Sequence, residues 1–132
     1  MNKQSMNYMN KLLVIDDDSA IRKSLALTFE NSRFAIDTAE SGLEGISKVK
    51  STPYSLIFID LKMPGLNGIE TLRSIREFNK DVIIYIFTAF HREFFRELEK
   101  AAVENLNFEV VNKPVDSHQL LELVRNTLIN KE

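Results

Sequence analysis

The chain has 132 residues, of which 44% are apolar and 27% charged, with a formal net charge of −2 and no cysteine. One domain is the default at that length, and such a chain buries roughly two-thirds of its unfolded surface, enough for an unassisted core. The balance excludes disulfides and thiolate metal sites, gives no basic footprint for nucleic acid and has no apolar run near the ~20 residues that cross a bilayer. With no apolar core after Lys3 to make a secretory signal, it suits a cytoplasmic protein.

Residues 1–10 are polar, rich in Asn and Met and without a period, and read as a flexible tail. Leu12–Ile15 is a buried strand by composition, and Ser19 has the chemistry of an N-cap before a helix carrying Ile21, Leu25 and Phe29. Phe34–Thr38 alternates as an edge strand does, and Ser41–Lys50 reads as a helix with Leu43, Ile46 and Val49 on its inner face. Leu56–Ile59 is a second apolar strand. Beyond Pro64 and Gly65, its helix presents Ile69, Leu72, Ile75 and Arg76. Val82–Phe87 is a third apolar strand, followed by a helix from about Arg92 to Asn105. Phe108–Val111 is the fifth strand, and Asp116 or Ser117 caps a last helix through Leu120, Leu123, Val124 and Leu128.

Five βα units without a repeat imply a parallel sheet covered on both faces, since each crossover is right-handed and long enough to carry a helix. Continuous apolar runs mark inner strands and the alternating run an edge, which suits a flavodoxin-like, doubly wound α/β fold with strand order 2-1-3-4-5. Ligands of such sheets bind outside the carboxyl ends of the strands. Those ends carry Asp16-Asp17-Asp18, Asp60, Thr88 and Lys113. In that order the first and third strands are neighbours, so Asp16, Asp17 and Asp60 converge.

Carboxylates ~4–5 Å apart repel by roughly 3–4 kcal/mol at an effective dielectric near 20, so three together require raised pKa values or a cation. A few carboxylates with open positions for water and phosphate suit Mg²⁺. Lys113 supplies a mobile point charge for phosphoryl oxygens, Thr88 a hydroxyl, and Asp60 a carboxylate able to take a phosphoryl group as an acyl phosphate. Taken alone, the Asp16–Asp18 run would be an acidic turn at a helix N-terminus, and Thr88 and Lys113 ordinary strand-end residues. Their joint occurrence is what points to phosphate chemistry.

The stretches LLVIDDDSAIRKSL, IFIDLKMPGLNGIE, IFTA and NKPV closely resemble the receiver domains of two-component response regulators, from Lys11 to about Asn130. IDLKMPGLNG is the most specific of them. The resemblance implies Asp60 as phosphoacceptor, and Asp17, Asp60 and the backbone carbonyl of Lys62 as Mg²⁺ ligands with Asp16 behind them. It also implies Thr88 as the switch hydroxyl, Lys113 as the phosphate-pairing lysine, and a cis bond before Pro114. The donor would be a histidine kinase or histidine phosphotransfer protein. Output would run through a downstream protein partner or effector domain, from a stand-alone or an excised receiver, with no direct contact to nucleic acid or membrane.

Two places depart from the family's pattern. Val110 stands where receivers usually carry an aromatic, and Glu104-Asn105-Leu106-Asn107 replaces a small Gly-Ala pair. The residues two past Asp60 and Thr88 are Lys62 and Phe90, and the bulk of Phe90 is expected to shield the acyl phosphate from water.

Other readings are weighed beside this one. Asp16-x-Asp18-Ser19 also resembles the haloacid-dehalogenase-type phosphatase pattern, with Asp16 as nucleophile and Asp18 as acid/base. That reading lacks a further acidic pair near the fourth strand and leaves IDLKMPGLNG unexplained. A flavin carrier shares the fold but requires a hydroxyl- and glycine-rich phosphate loop after the first strand. His91 and His118 read as surface residues. Of the adjacent Phe94 and Phe95, one is expected to be partly exposed.

Overall fold

Three apolar strand sequences fold into the middle of a parallel sheet because both of their faces find cover. The computed structural model describes residues 10–89 and 91–129. Residues 1–9, Phe90 and the side chain of His91, on which expectations above fall, lie outside the described residues. The strands are β1 (Asn10–Ile15), β2 (Phe34–Ala39), β3 (Leu56–Asp60), β4 (Ile83–Thr88) and β5 (Glu109–Asn112). The helices are α1 (Ser19–Phe29), α2 (Gly42–Ser51), α3 (Gly68–Arg76), α4 (Phe95–Val103) and α5 (Ser117–Leu128). Spatial order is β2-β1-β3-β4-β5, all parallel, as the sequence implies.

Alternation along each inner strand sends successive residues to opposite cores. Leu13, Ile15, Ile57, Ile59, Ile84 and Ile86 pack under Val49 of α2, Leu72 and Ile75 of α3 and Leu98 of α4. Leu12, Val14, Leu56, Phe58, Tyr85 and Phe87 pack under Leu25 and Phe29 of α1 and Leu120 and Val124 of α5. Phe58 stacks on Phe87 with ring centroids 4.9 Å apart, joining β3 to β4 just below the ends that bear Asp60 and Thr88. None of the described helices is long and apolar enough to cross a membrane.

Several local expectations are corrected. Asn10, assigned to the tail, opens β1 and faces Phe34 in register. Asp18, not Ser19, caps α1: it is extended and its carboxylate accepts from the N–H of Ala20 at 2.9 Å. Leu43 points outward, 71% exposed, because α2 seats its glycines inward. A Cβ on Gly45 would sit 2.3 Å from Ile15 Cδ1, and one on Gly42 2.3 Å from Thr71 Oγ1. The fourth helix is preceded by a 3-10 turn (His91–Phe94), so only Phe95–Val103 is α-helical. β4 and β5 each begin one residue later than expected, and β5 is a largely exposed edge.

The Glu104–Asn107 departure acquires a physical role here. Asn105 (φ 62°) and Asn107 (φ 59°) take the left-handed conformation that asparagine tolerates. Arg76, only 6% exposed, donates through Nε to the carbonyl of Leu106 (2.6 Å), through Nη2 to that of Asn107 (2.6 Å) and through Nη1 to that of Asn79 (3.2 Å). Arg73 adds an ion pair to Glu104 at 2.8 Å. The end of α3 thereby holds the loop that feeds β5. Arg76→Met keeps the stem but strands three carbonyls, so it should lower stability by about 2–4 kcal/mol, read by urea denaturation. A loss near zero would mean that water replaces the guanidinium without cost.

Candidate functional site

Each chemical group of the site is fixed by the backbone of the element that carries it. Asp16 extends β1 by one residue: its N–H donates to the carbonyl of Ala39 at 3.0 Å, and its Oδ1 accepts from the N–H of Asp18 at 2.9 Å. Asp60 ends β3, and the next residue continues the ladder, Leu61 N–H donating to the Phe87 carbonyl at 2.9 Å. The chain then turns through Gly65 (φ 73°) into the capping box of α3, in which Asn67 and Glu70 each accept the other's N–H at 2.9 Å. Gly68 is required by close approach. A Cβ there would lie 2.6 Å from the Asp60 carbonyl oxygen, against which α3 begins.

Thr88 ends β4 and is 4% exposed, and its carbonyl accepts from the N–H of Lys113 at 2.9 Å. That bond brings Lys113, just past β5, over the site, with a cis peptide between it and Pro114. Lys113 Nζ donates to Asp60 Oδ1 at 2.8 Å and lies 3.6 Å from Asp16 Oδ2, an ion pair too long for a hydrogen bond. One carboxylate oxygen from each of Asp16, Asp17 and Asp60 lies within 4.8 Å of the others. Asp16 and Asp60 are buried and Asp17 is exposed. A cavity of about 150 Å³ opens beside them, lined by Asp60, Lys62, Thr88, Ala89, Phe94 and Lys113.

The electrostatics are those of crowded charge. Burial pushes the carboxyls of Asp16 and Asp60 above the usual range. Lys113 pulls both back, and the backbone N–H of Asp18 pulls back Asp16. Burial alone would lower the Lys113 ammonium, but its hydrogen bond to Asp60 and the two carboxylate charges raise it overall. Asp16 Oδ2 is buried and accepts no hydrogen bond, a costly state for a carboxylate oxygen. That orphaned oxygen, beside two more carboxylates, fits a divalent cation held by oxygen ligands.

Asp16, Asp17, Asp60, Thr88 and Lys113 therefore meet at one end of the sheet, and Lys62 lines the same cavity with its exposed side chain 3.5 Å from Glu93. Phe94 is half-buried toward the core and Phe95 is 55% exposed; His118 is exposed. Two groups at the site have no role that the motifs imply. Glu93 reaches Lys62 from the 3-10 turn, and Arg22 Nη1 donates to the Asp16 carbonyl at 2.8 Å. Both depend on how far side chains reach, Arg22 back to the end of β1 and Glu93 across to Lys62, which spacing does not encode.

The family model described as the response regulator receiver domain matches residues 12–125. The chain belongs to this family. Receivers are signalling domains of two-component systems, so the sequence resemblance and the fold agree. The CpxR homolog of Haemophilus influenzae, a transcriptional regulatory protein, is 33% identical over 120 residues, which are 91% of this chain and 51% of that protein. The transcriptional regulatory protein ResD of Bacillus subtilis is 46% identical over 76 residues, 58% of this chain and 32% of its own length. The chain thus spans from about a third to a half of these relatives. Among solved structures, the response regulator TrrA of Thermotoga maritima, in complex with Mg²⁺-BeF, is 33% identical with a TM-score of 0.77; the match covers 91% of this chain and 100% of that one.

Proposed function

We propose that this receiver accepts a phosphoryl group on Asp60, from a histidine kinase or histidine phosphotransfer protein, and passes the signal to a downstream protein partner or effector domain. The observation that carries this reading is the contact of Lys113 Nζ with Asp60 Oδ1 at 2.8 Å beside the orphaned Asp16 Oδ2. A nucleophilic carboxylate and a mobile cation line one small cavity, and an unsatisfied acidic oxygen lies buried beside them. Residues 11–130 are the working phosphoacceptor unit, its partners are proteins and not nucleic acid or membrane, and its place is the cytoplasm.

Each side chain has a distinct task. A carboxylate oxygen of Asp60 forms the new bond to phosphorus while the bond to the donor nitrogen breaks, the electron pair leaving with the imidazole. Asp17, Asp60 and the backbone carbonyl of Lys62 would hold Mg²⁺, with Asp16 supporting them from behind. The cation supplies charge neutralisation for the incoming phosphoryl oxygens. Lys113 exchanges its carboxylate partner for a phosphoryl oxygen, and the Thr88 hydroxyl donates to another. The acidic turn of the phosphatase pattern is absorbed by this arrangement, in which Asp18 is committed to capping α1.

Incubation with acetyl phosphate and Mg²⁺ should add one phosphoryl group to the wild-type chain and none to Asp60→Asn, which keeps the shape but loses the nucleophilic charge. Mass spectrometry reads both. A phosphoryl group gained by Asp60→Asn would overturn the assignment.

The raised carboxyls give a pH signature with a definite sign. A carboxyl whose folded pKa is raised favours the fold when protonated, and that contribution fades as pH rises through the raised value. At neutral pH the two buried anions are a strain that Mg²⁺ relieves. At ten times its dissociation constant Mg²⁺ should add about 1.4 kcal/mol, or roughly 3–6 °C in Tm. In acid, as pH falls below the raised values of Asp16 and Asp60, those two carboxyls take up protons and the increment should vanish. Thermal melts with and without Mg²⁺ at neutral and acid pH check this, and an increment that persists in acid would contradict it.

A further inference from the structure

We propose that Arg22 is a positioning residue for the metal-binding turn, holding the Asp16–Asp17 peptide in the one orientation that aims Asp17 at the cluster. This rests on the reading of Asp17 as a cation ligand. Arg22 lies in the first half of α1, its side chain 19% exposed, and Nη1 donates to the Asp16 carbonyl at 2.8 Å. Its Nη2 lies 3.9 Å from Glu40 Oε1, just past the end of β2, so the guanidinium bridges the turns after two strands.

Two of the other polar handles of Asp16 are hydrogen-bonded from elsewhere, and the third, Oδ2, accepts no hydrogen bond. Its N–H is bound by Ala39, its Oδ1 by the N–H of Asp18, and its Oδ2 faces Lys113 at 3.6 Å. The carbonyl lies beyond the last register pair of β1 with β2, Ile15 with Ala39, and Arg22 takes it as a charge-assisted acceptor. A peptide is planar, so fixing that C=O also fixes the N–H and Cα of Asp17. Asp17 itself is exposed, yet its carboxylate comes within 4.8 Å of those of Asp16 and Asp60. The plane that Arg22 holds sets where that exposed carboxylate starts from.

The sign of the effect separates this role from plain electrostatics. Arg22 is a cation close to a cation site, so on charge alone its removal tightens Mg²⁺ binding. If it positions the turn, its removal weakens Mg²⁺ binding despite the lost repulsion, by roughly tenfold, as for other residues that orient metal ligands. Arg22→Lys keeps a charge and a donor and should recover most of the affinity. Glu40→Gln removes only the long ion pair and should leave affinity unchanged.

The experiment is an NMR titration of the chain with Mg²⁺ alone in wild type, Arg22→Met, Arg22→Lys and Glu40→Gln. The metal-free spectra supply a second readout. The amide signals of Asp17 and Asp18 should shift or broaden in Arg22→Met and stay close to wild type in Arg22→Lys. Weaker binding in Arg22→Met with recovery in Arg22→Lys supports the proposal. Equal or tighter binding in Arg22→Met, or an Arg22→Lys no better than Arg22→Met, overturns it. Should Arg22→Met not fold, Arg22→Gln, uncharged and too short to reach the carbonyl, carries the same test. A wild-type chain that does not bind Mg²⁺ would instead remove the reading of the site itself, an outcome distinct from wild type and Arg22→Met binding equally well.

Discussion

Lys113→Ala should leave Asp60 able to take a phosphoryl group from acetyl phosphate while most of the conformational response disappears. Lys113 Nζ sits on Asp60 Oδ1 at 2.8 Å, and its N–H is tied to the carbonyl of Thr88 at 2.9 Å. The ammonium therefore joins Asp60 to the loop after β5. A phosphoryl group on Asp60 offers it new oxygens and draws that loop along, whereas alanine offers nothing to draw. In the proposed reading the nucleophile is Asp60 and the metal ligands are Asp17, Asp60 and the Lys62 carbonyl, so the chemistry does not need Lys113.

Two side effects follow from the same contact. Without the lysine, two buried carboxylates lose their cation, which should lower Mg²⁺-free stability by about 1–3 kcal/mol at neutral pH. Mg²⁺ should bind several-fold tighter, since a like charge has left its site. Urea denaturation reads the first and a Mg²⁺ titration the second. Amide chemical shifts that change on phosphorylation as fully as in wild type would remove Lys113 from the signalling path.

Asp17→Asn is expected to have the largest effect on the metal and almost none on the fold. Asp17 is exposed, so the metal-free stability should stay within about 0.5 kcal/mol of wild type. Its carboxylate nonetheless supplies one of three charges in the cluster. An amide oxygen in that place keeps the shape and loses the charge, so Mg²⁺ affinity should fall by more than roughly tenfold. Phosphorylation of Asp60 at limiting Mg²⁺ should slow in proportion. A Mg²⁺ titration on both chains checks this, and unchanged affinity would show that the cation is held by Asp16 and Asp60 without Asp17.

The sheet was legible because its information is local. Runs such as LIFID and IIYIFT can be buried only as inner strands, and the residue ending each run then falls at a known edge of a parallel sheet. Convergence of Asp16, Asp17 and Asp60 followed from strand order alone. What escaped the sequence depends on backbone conformation and on side-chain fit and reach, which the local pattern does not contain. Leu43 faces outward because Gly42 and Gly45 allow α2 to press on Thr71 and Ile15, a fit that helical spacing alone does not contain. Asp18 and Ser19 offer nearly the same cap chemistry, and the extended backbone of Asp18 decides between them. Arg76 reads as an amphipathic position, but its guanidinium ends among carbonyls about thirty residues away. Arg22 is hidden in the same way: nothing in the spacing shows an arginine reaching back to the Asp16 carbonyl.

The most direct test of the account asks where the phosphoryl group resides. Acyl phosphates are reduced by borohydride, and the aspartate that carried one becomes homoserine. The wild-type chain would be treated with acetyl phosphate and Mg²⁺, reduced, digested and mapped by mass spectrometry. Homoserine at position 60, with Asp16, Asp17 and Asp18 intact, is the predicted result. Homoserine at position 16, with the peptide bearing Asp60 unchanged, would contradict the account and favour the phosphatase reading.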